Sequence, residues 1–329
     1  MRDYPFPLEK DRQKEKAMKL LTTSAVIIAF LIGLGAYGLA AEEELSGTIT
    51  LSGAWAIYPT AVAWAEAFQK VHPKVRVDVS AGGAGKGASD AIAGLVDIGM
   101  VSRDPDPAEL KRGVVPVYIL HDAVFPVVSE KNPALSSLLE KGVSKEKWAW
   151  IYISGIAVSW DDIAGTKTGK PLHVYTRSDS CGAAASWAAF MGKKQEDLKG
   201  IGVYGDPGLL ETAKRDPLGV GYNNFSYVFT REGKIVDGAR IVPIDANNNG
   251  KADPDEIFEN RAQAVKAIEA KIYPARRQNY FFVKGKPKGL VKEFIMFCMS
   301  DEAAKIVDEV GSSLPLPREE REKALKNMD

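Results

Sequence analysis

The chain has 329 residues, 45% of them apolar and 26% charged, and its 43 Lys and Arg balance 43 Asp and Glu. Such a composition suits a globular protein with room for a leader and about two domains. A chain without net charge is not built to follow nucleic-acid backbones, so any basic site must be local. Cys181 and Cys298 form no metal-binding spacing and no disulfide framework.

The run from Leu20 to Ala41 is almost wholly apolar; Arg2, Lys10, Arg12, Lys14, Lys16 and Lys19 precede it and Glu42, Glu43 and Glu44 follow. Positive charge before an apolar span and negative charge after it direct the body of the chain out of the cytoplasm. Two fates stay open. Gly38-Leu39-Ala40 fits a small-x-small cleavage site, which makes residues 1–44 a signal peptide, with Met18 as a second candidate start. The span is also long enough to cross a bilayer uncut, which makes it a membrane anchor.

Beyond Glu44, strand-like and helix-like runs alternate. Residues 48–51 read as a strand, and Pro59 opens a helix whose apolar positions Val62, Ala65, Phe68 and Val71 recur at helical spacing. Strand 75–79, helix 86–95 and strand 97–101 follow, then strands at 114–120 and 123–128. The middle of the chain gives strand 172–176, helix 182–191, a helix near 207–214, the run Gly219-Val220-Gly221-Tyr222-Asn223-Asn224 and strand 239–244. The tail gives a helix over 260–272, a strand over 279–283 and one long helix over 288–310. Short β-α-β units of this kind predict an α/β fold with an open, largely parallel sheet.

Two turns stand out. Gly82-Gly83-Ala84-Gly85-Lys86-Gly87 follows the strand at 75–79, and Thr176-Arg177-Ser178-Asp179-Ser180-Cys181-Gly182 follows the strand at 172–175. Each opens a helix, and helix N-termini present unpaired N–H groups and partial positive charge to anions. Together with Lys86 and Arg177 they suggest a clamp around a small oxyanion. In open α/β sheets ligands sit beyond the carboxyl ends of strands, where both turns lie.

Three stretches in this order resemble the phosphate-type substrate-binding proteins of ABC importers. They are Gly47-Thr48-Ile49-Thr50-Leu51-Ser52-Gly53 with Ile57-Tyr58-Pro59, the turn at 82–87 with Asp97-Ile98-Gly99-Met100 and Ser102-Arg103, and Arg177-Ser178-Asp179-Ser180-Cys181-Gly182. The similarity runs from about 46 to 312. The resemblance implies a two-lobed periplasmic-binding-protein-like fold with a ligand cleft between lobes, one lobe from 45–120 plus 284–329 and the other from 121–283. It implies a monomeric, non-enzymatic extracytoplasmic receptor that hands phosphate or a similar oxyanion to a membrane permease. The ligand set it implies is Tyr58, Ala84, Gly85, Lys86, Ser102, Arg103, Arg177, Asp179, Cys181, Gly182 and Ala183, with Trp55 either at the pocket mouth or in the core.

The chain departs from that family in two respects. Hydroxyl side chains usual at the positions of Ile57, Ala84, Cys181 and Ala183 are missing, and Ser102 stands where some relatives carry an aspartate that accepts the proton of hydrogen phosphate. Four lost hydrogen bonds cost about 2–6 kcal/mol, against about 8 kcal/mol for micromolar binding. Oxyanion binding is therefore better founded than phosphate specificity, and a membrane-anchored sensor or scaffold with a degenerate pocket is the alternative. A hydrolase using Ser180 or Cys181 finds no support in a triad, because His72, His121 and His173 share no motif with either.

A separate motif, Asp245-Ala246-Asn247-Asn248-Asn249-Gly250-Lys251-Ala252-Asp253-Pro254-Asp255-Glu256, has the pattern of a calcium loop. Asp245, Asn247 and Asn249 fall on the first, third and fifth loop positions, Gly250 makes the turn, Lys251 offers its carbonyl, and Asp253 and Glu256 complete the set. A structural calcium that stiffens the loop is the expectation.

Overall fold

The computed structural model describes residues 44–328. The leader at 1–44, whether signal peptide or anchor, lies outside the described residues but for Glu44; no helix among those described is long and apolar enough to cross a membrane.

From the N-terminus the elements are β1 (Gly47–Gly53), α1 (Tyr58–Val71), β2 (Val75–Ala81), α2 (Ala84–Ala93), β3 (Ile98–Val101), β4 (Val114–Ser129), β5 (His173–Arg177), α3 (Gly182–Phe190), β6 (Ile201–Val203), α4 (Gly205–Arg215), β7 (Gly219–Asn224), β8 (Ala239–Ile241), α5 (Arg261–Glu269), β9 (Arg276–Lys284), α6 (Gly289–Cys298), α7 (Asp301–Val310), β10 (Leu314–Pro315) and α8 (Arg318–Lys326), with shorter helical turns and one two-stranded pairing between them. The main sheet runs β2-β1-β3-β9-β4-β7-β5-β6, with β8 and β10 added on β4.

The sheet is mixed rather than largely parallel. Its two ends are parallel, β1 with β2 and β3, and β5 with β6 and β7. Its centre is antiparallel, because β9 pairs with both β3 and β4, and β4 with β7. The strands expected at 114–120 and 123–128 are one continuous strand. At the expected break, the Asp122 carboxylate accepts the N–H of Ala123 and pairs with Arg277 of β9, so a buried polar pair carries the strand through. β4 thereby joins the ends, pairing with β9 over 114–123 and with β7 over 124–128.

The long tail helix is two helices. Ser300 ends the first and caps the second, its Oγ accepting the N–H of Ala303 at 3.0 Å. The helix expected to 272 stops at Glu269, and Lys271 turns the chain at φ 62°.

Packing at each end aims one helix at the centre. In the first, Gly53, Gly87 and Gly99 let β1, α2 and β3 meet backbone to backbone. A Cβ on Gly87 would stand 2.4 Å from the Met100 carbonyl oxygen, and one on Gly99 2.2 Å from the Gly87 oxygen. In the other, Trp187 of α3 is fully buried, its ring centroid 5.8 Å from Tyr222 and 5.2 Å from Trp148. The Tyr222 hydroxyl then reaches the turn itself, accepting the backbone N–H of Arg177 at 3.2 Å. Replacing Gly87 with Ala forces backbones apart and lowers stability by about 1–3 kcal/mol, read as a reduced midpoint in urea unfolding with an unchanged m-value.

Candidate functional site

Both turns fold where the strand-turn-helix pattern places them, and they meet. The Gly85 N–H donates to the Ser180 carbonyl at 3.0 Å. Gly83, at φ +93°, brings its Cα so near that a Cβ would lie 2.7 Å from the Ser180 oxygen and 2.9 Å from an Asp179 carboxylate oxygen. Gly182 is pressed equally close to Ser102, where a Cβ would stand 2.2 Å from the backbone oxygen. Glycine at all three positions is what permits the two helix starts to converge. First-turn amides have no intrahelical acceptor, so Ala84 and Lys86 on α2 and Gly182 and Ala183 on α3 present N–H groups at this junction. Ser102 is buried beside them.

Arg177 is the cation of the site, and its side chain is wholly buried. Nε donates to Asp179 at 2.8 Å, Nη2 donates to the other oxygen of Asp179 at 2.6 Å, and Nη1 donates to Asp206 at 2.5 Å. A guanidinium has five N–H donors, so two remain for a ligand. Burial works against its charge, but Asp206 and Asp179 outweigh burial and hold the group more basic than usual. Asp206 also accepts from Asn224 at 2.7 Å, and Arg277 donates to Asn224 and to Asp122. Two arginines and three aspartates form one chain of contacts across the end of β5 and the turn after it, α4, β7, β9 and β4. Burial drives the carboxyls of Asp206 and Asp122 upward, against the pull of the arginines.

Other expected contacts are engaged elsewhere. Lys86 extends along α2 to Asp90, which also accepts from Ser52 Oγ at 2.6 Å. Arg103 forms a two-pronged pair with Glu109 at 2.9 and 2.6 Å. Each carboxylate lies within a few residues of its partner, and local pairing takes the charge that a clamp requires. Tyr58 is half-buried beside Trp55, centroids 6.4 Å apart, and Trp55 makes an edge contact with Tyr204 at 6.2 Å. Trp55 thus bridges β1 and the start of α4, where Gly205 lies against its ring.

Ile57, Ala84, Cys181 and Ala183 are buried at the junction. Cys181 caps α3 through sulfur, Sγ accepting the Ala184 N–H at 3.4 Å, while its own N–H donates to Gln195. Burial pushes the thiol up to about 12, against the pull of Arg177. A nucleophilic thiolate is not sustained there.

Asp206, Asn224, Gln195, Asp122 and Arg277 were not picked out from the sequence as site residues. The pair Asn223-Asn224 at the end of an otherwise apolar strand was the available signal, since polar groups buried in a sheet need partners.

In the 245–256 loop the donors are turned on one another. Asp245 accepts the N–H groups of Asn249 and Gly250, while the side-chain amides of Asn247 and Asn249 both donate to Asp253. Glu256 accepts from Ala246 and Asp253; burial, then Asp245 and Asp253, raise its pKa. Lys251 donates its N–H to Asn249 Oδ1, leaving its carbonyl for other partners. Among the described residues no three His, Cys, Asp or Glu side chains stand together as a metal site.

Comparison with known proteins agrees with this architecture. The profile of the PBP superfamily domain matches residues 39–302. The phosphate-binding protein PstS of Bacillus subtilis is 27% identical over 273 residues, spanning 82% of this chain and 81% of that protein. The phosphate-binding protein PstS of Methanocaldococcus jannaschii is 25% identical over 310 residues, spanning 81% and 76%. A candidate phosphate ABC transporter substrate-binding protein of Clostridium perfringens, solved with phosphate, superposes with a TM-score of 0.68 at 23% identity, over 82% of this chain and all of that one. An ABC-type phosphate transport receptor of Vibrio cholerae gives 0.61 at 20%, with the same coverage. The structural likenesses establish the two-ended α/β fold.

The buried, capping Cys181 should resist iodoacetamide at pH 8 in the folded protein and react once urea unfolds it; mass spectrometry of labelled peptides distinguishes the two, and rapid native labelling contradicts the assignment.

Proposed function

Because this chain belongs to the PBP superfamily, we propose that it is an extracytoplasmic solute receptor that captures phosphate or a similar tetrahedral oxyanion and delivers it to an ABC transporter permease. The observation that carries this is the convergence of two helix N-termini, one from each end of the sheet, beside the buried Arg177–Asp179 pair. The names of the curated relatives supply the ligand class.

In this proposal the lobes are 45–120 with 284–329, and 121–283, with β4 and β9 running between them. The anion lies between the starts of α2 and α3. The amides of Ala84, Lys86, Gly182 and Ala183 bind its oxygens, Ser102 Oγ adds a hydroxyl, and Arg177 donates its two remaining N–H groups. Arg177 and Asp179 neutralise each other in part, so the helix termini carry much of the affinity. The direct contact of Gly85 with Ser180 means that ligand entry parts the turns. Tyr58 and Trp55 stand at the mouth. No residue acts as nucleophile or base; the chemistry is capture and release by a monomer.

Thermal melting with phosphate, sulfate, arsenate, molybdate and tungstate tests this. A ligand at one hundred times its Kd stabilises the fold by about 2.7 kcal/mol, so at least one of these anions should raise the melting temperature by several degrees. Arg177→Lys keeps a charge but loses the fork that serves two carboxylates and a ligand. It should abolish the rise; an undiminished rise counts against the site. If no anion shifts the wild-type protein, the anchored scaffold with a degenerate pocket is the better reading.

We also propose that the 245–256 loop takes calcium through Asp245, Asn247, Asn249, the Lys251 carbonyl, Asp253 and Glu256. The spacing of oxygen donors along the loop, with Gly250 at the turn, supports this. Calcium supplies charge and rigidity there. Calorimetry with millimolar calcium should give a saturable signal that Glu256→Gln weakens; no heat at that concentration removes the proposal.

A further inference from the structure

A cavity of about 620 Å³ opens on the flank of the molecule, between the chain leaving β3, the outer face of α3 and the start of β9. Its size falls in the usual range of small-molecule sites, about 300–1,000 Å³. Arg103, Arg276 and Arg277 line it with Ala185, Ala189 and Phe190 of α3; Arg103 and Arg277 are paired with Glu109 and Asp122, and Arg276 is exposed. Asp104 is the one carboxylate among its lining residues. None of the expected ligand contacts at the turns lines it except Arg103.

Arg277 is 8% exposed, and its Nε and Nη2 serve Asp122 and Asn224. Its Nη1 is buried with no hydrogen-bond partner. A charged donor left unsatisfied in the interior is costly, and such orphans in folded proteins call for a ligand, ion or water. Arg276, the next guanidinium, is exposed at the cavity. Small side chains of α3, Ala185, Ser186 and Ala189, keep the space open.

We propose that this cavity is a second anion site, separate from the turns, for a small organic carboxylate. Planar guanidinium forks match a carboxylate in two-pronged geometry, and the apolar side chains of α3 cover a carbon body that an inorganic oxyanion lacks. Arg276 is the open cation, Arg277 the preorganised one held from below by Asp122, and Arg103 the flanking one steadied by Glu109.

Calorimetry on the full chain with citrate and with benzoate, in the presence of saturating phosphate, tests this. At least one probe should bind with one-to-one stoichiometry. Arg276→Glu, at an exposed position, reverses the charge of the open cation, and Ser186→Trp fills the space; each should weaken binding by about tenfold or more, a change of about 1.4 kcal/mol. Ala189→Phe, also exposed, serves if Ser186→Trp lowers the melting temperature. Absence of heat from both probes at millimolar concentration overturns the proposal. So does binding that phosphate displaces, which belongs to the Arg177 site, and so does binding that survives both Arg276→Glu and a cavity-filling variant.

Discussion

Arg177, enclosed between Asp179 and Asp206, is the interaction around which the molecule is assembled. A guanidinium without water is costly unless most of its donors are met. Meeting them recruits the turn after β5, the start of α4 and, through Asn224 and Arg277, the ends of β7 and β9 and the middle of β4. Asp179 is supplied by the local sequence, two residues along; Asp206, Asn224, Arg277 and Asp122 are not. Its direct partners, Asp179 and Asp206, both belong to the far end of the sheet, and Asn224 links Asp206 onward to the antiparallel centre.

The same enclosure shapes what the site can hold. Three carboxylates face two guanidiniums along the chain of contacts, so an arriving anion meets a surplus of negative charge. In the proposed role, attraction comes from the dipolar ends of α2 and α3; the glycine-mediated contacts of α2 with β1 and β3 and the aromatic packing of Trp187 hold those helices in place. The apolar side chains at Ile57, Ala84, Cys181 and Ala183 add no donors. Cys181 is there as a helix cap, and its burial holds it in the thiol form.

Sequence periodicity located most of the elements, because strand-turn-helix units are encoded by neighbouring residues. The two turns were legible for the same reason: a glycine cluster or an Arg-x-Asp ahead of a helix is a local signal. Where reading failed, the deciding residue lay far away or was a local competitor. Asp206 lies 29 residues from Arg177, and Arg277 lies 155 from Asp122. Nothing in the composition around Asp206 or Arg277 marks them. Lys86 and Arg103 show the opposite case, since Asp90 and Glu109 were visible in the same stretch, and short-range pairing could have been preferred. The continuity of β4 was hidden because His121-Asp122 reads as a polar break until the arginine on the neighbouring strand is known.

One detail of the ladder between β4 and β9 bears on how the halves of such a molecule connect. Its register slips between Asn279 and Tyr280, where partners on β4 pass from Leu120 to Tyr118. Such an irregularity bends the strand and increases its local twist. The slip sits just beside the Asp122–Arg277 pair, at the crossing between the two ends of the sheet. The two ends of the sheet are thus joined at a kinked crossing, and a buried ion pair fastens the strands beside the kink.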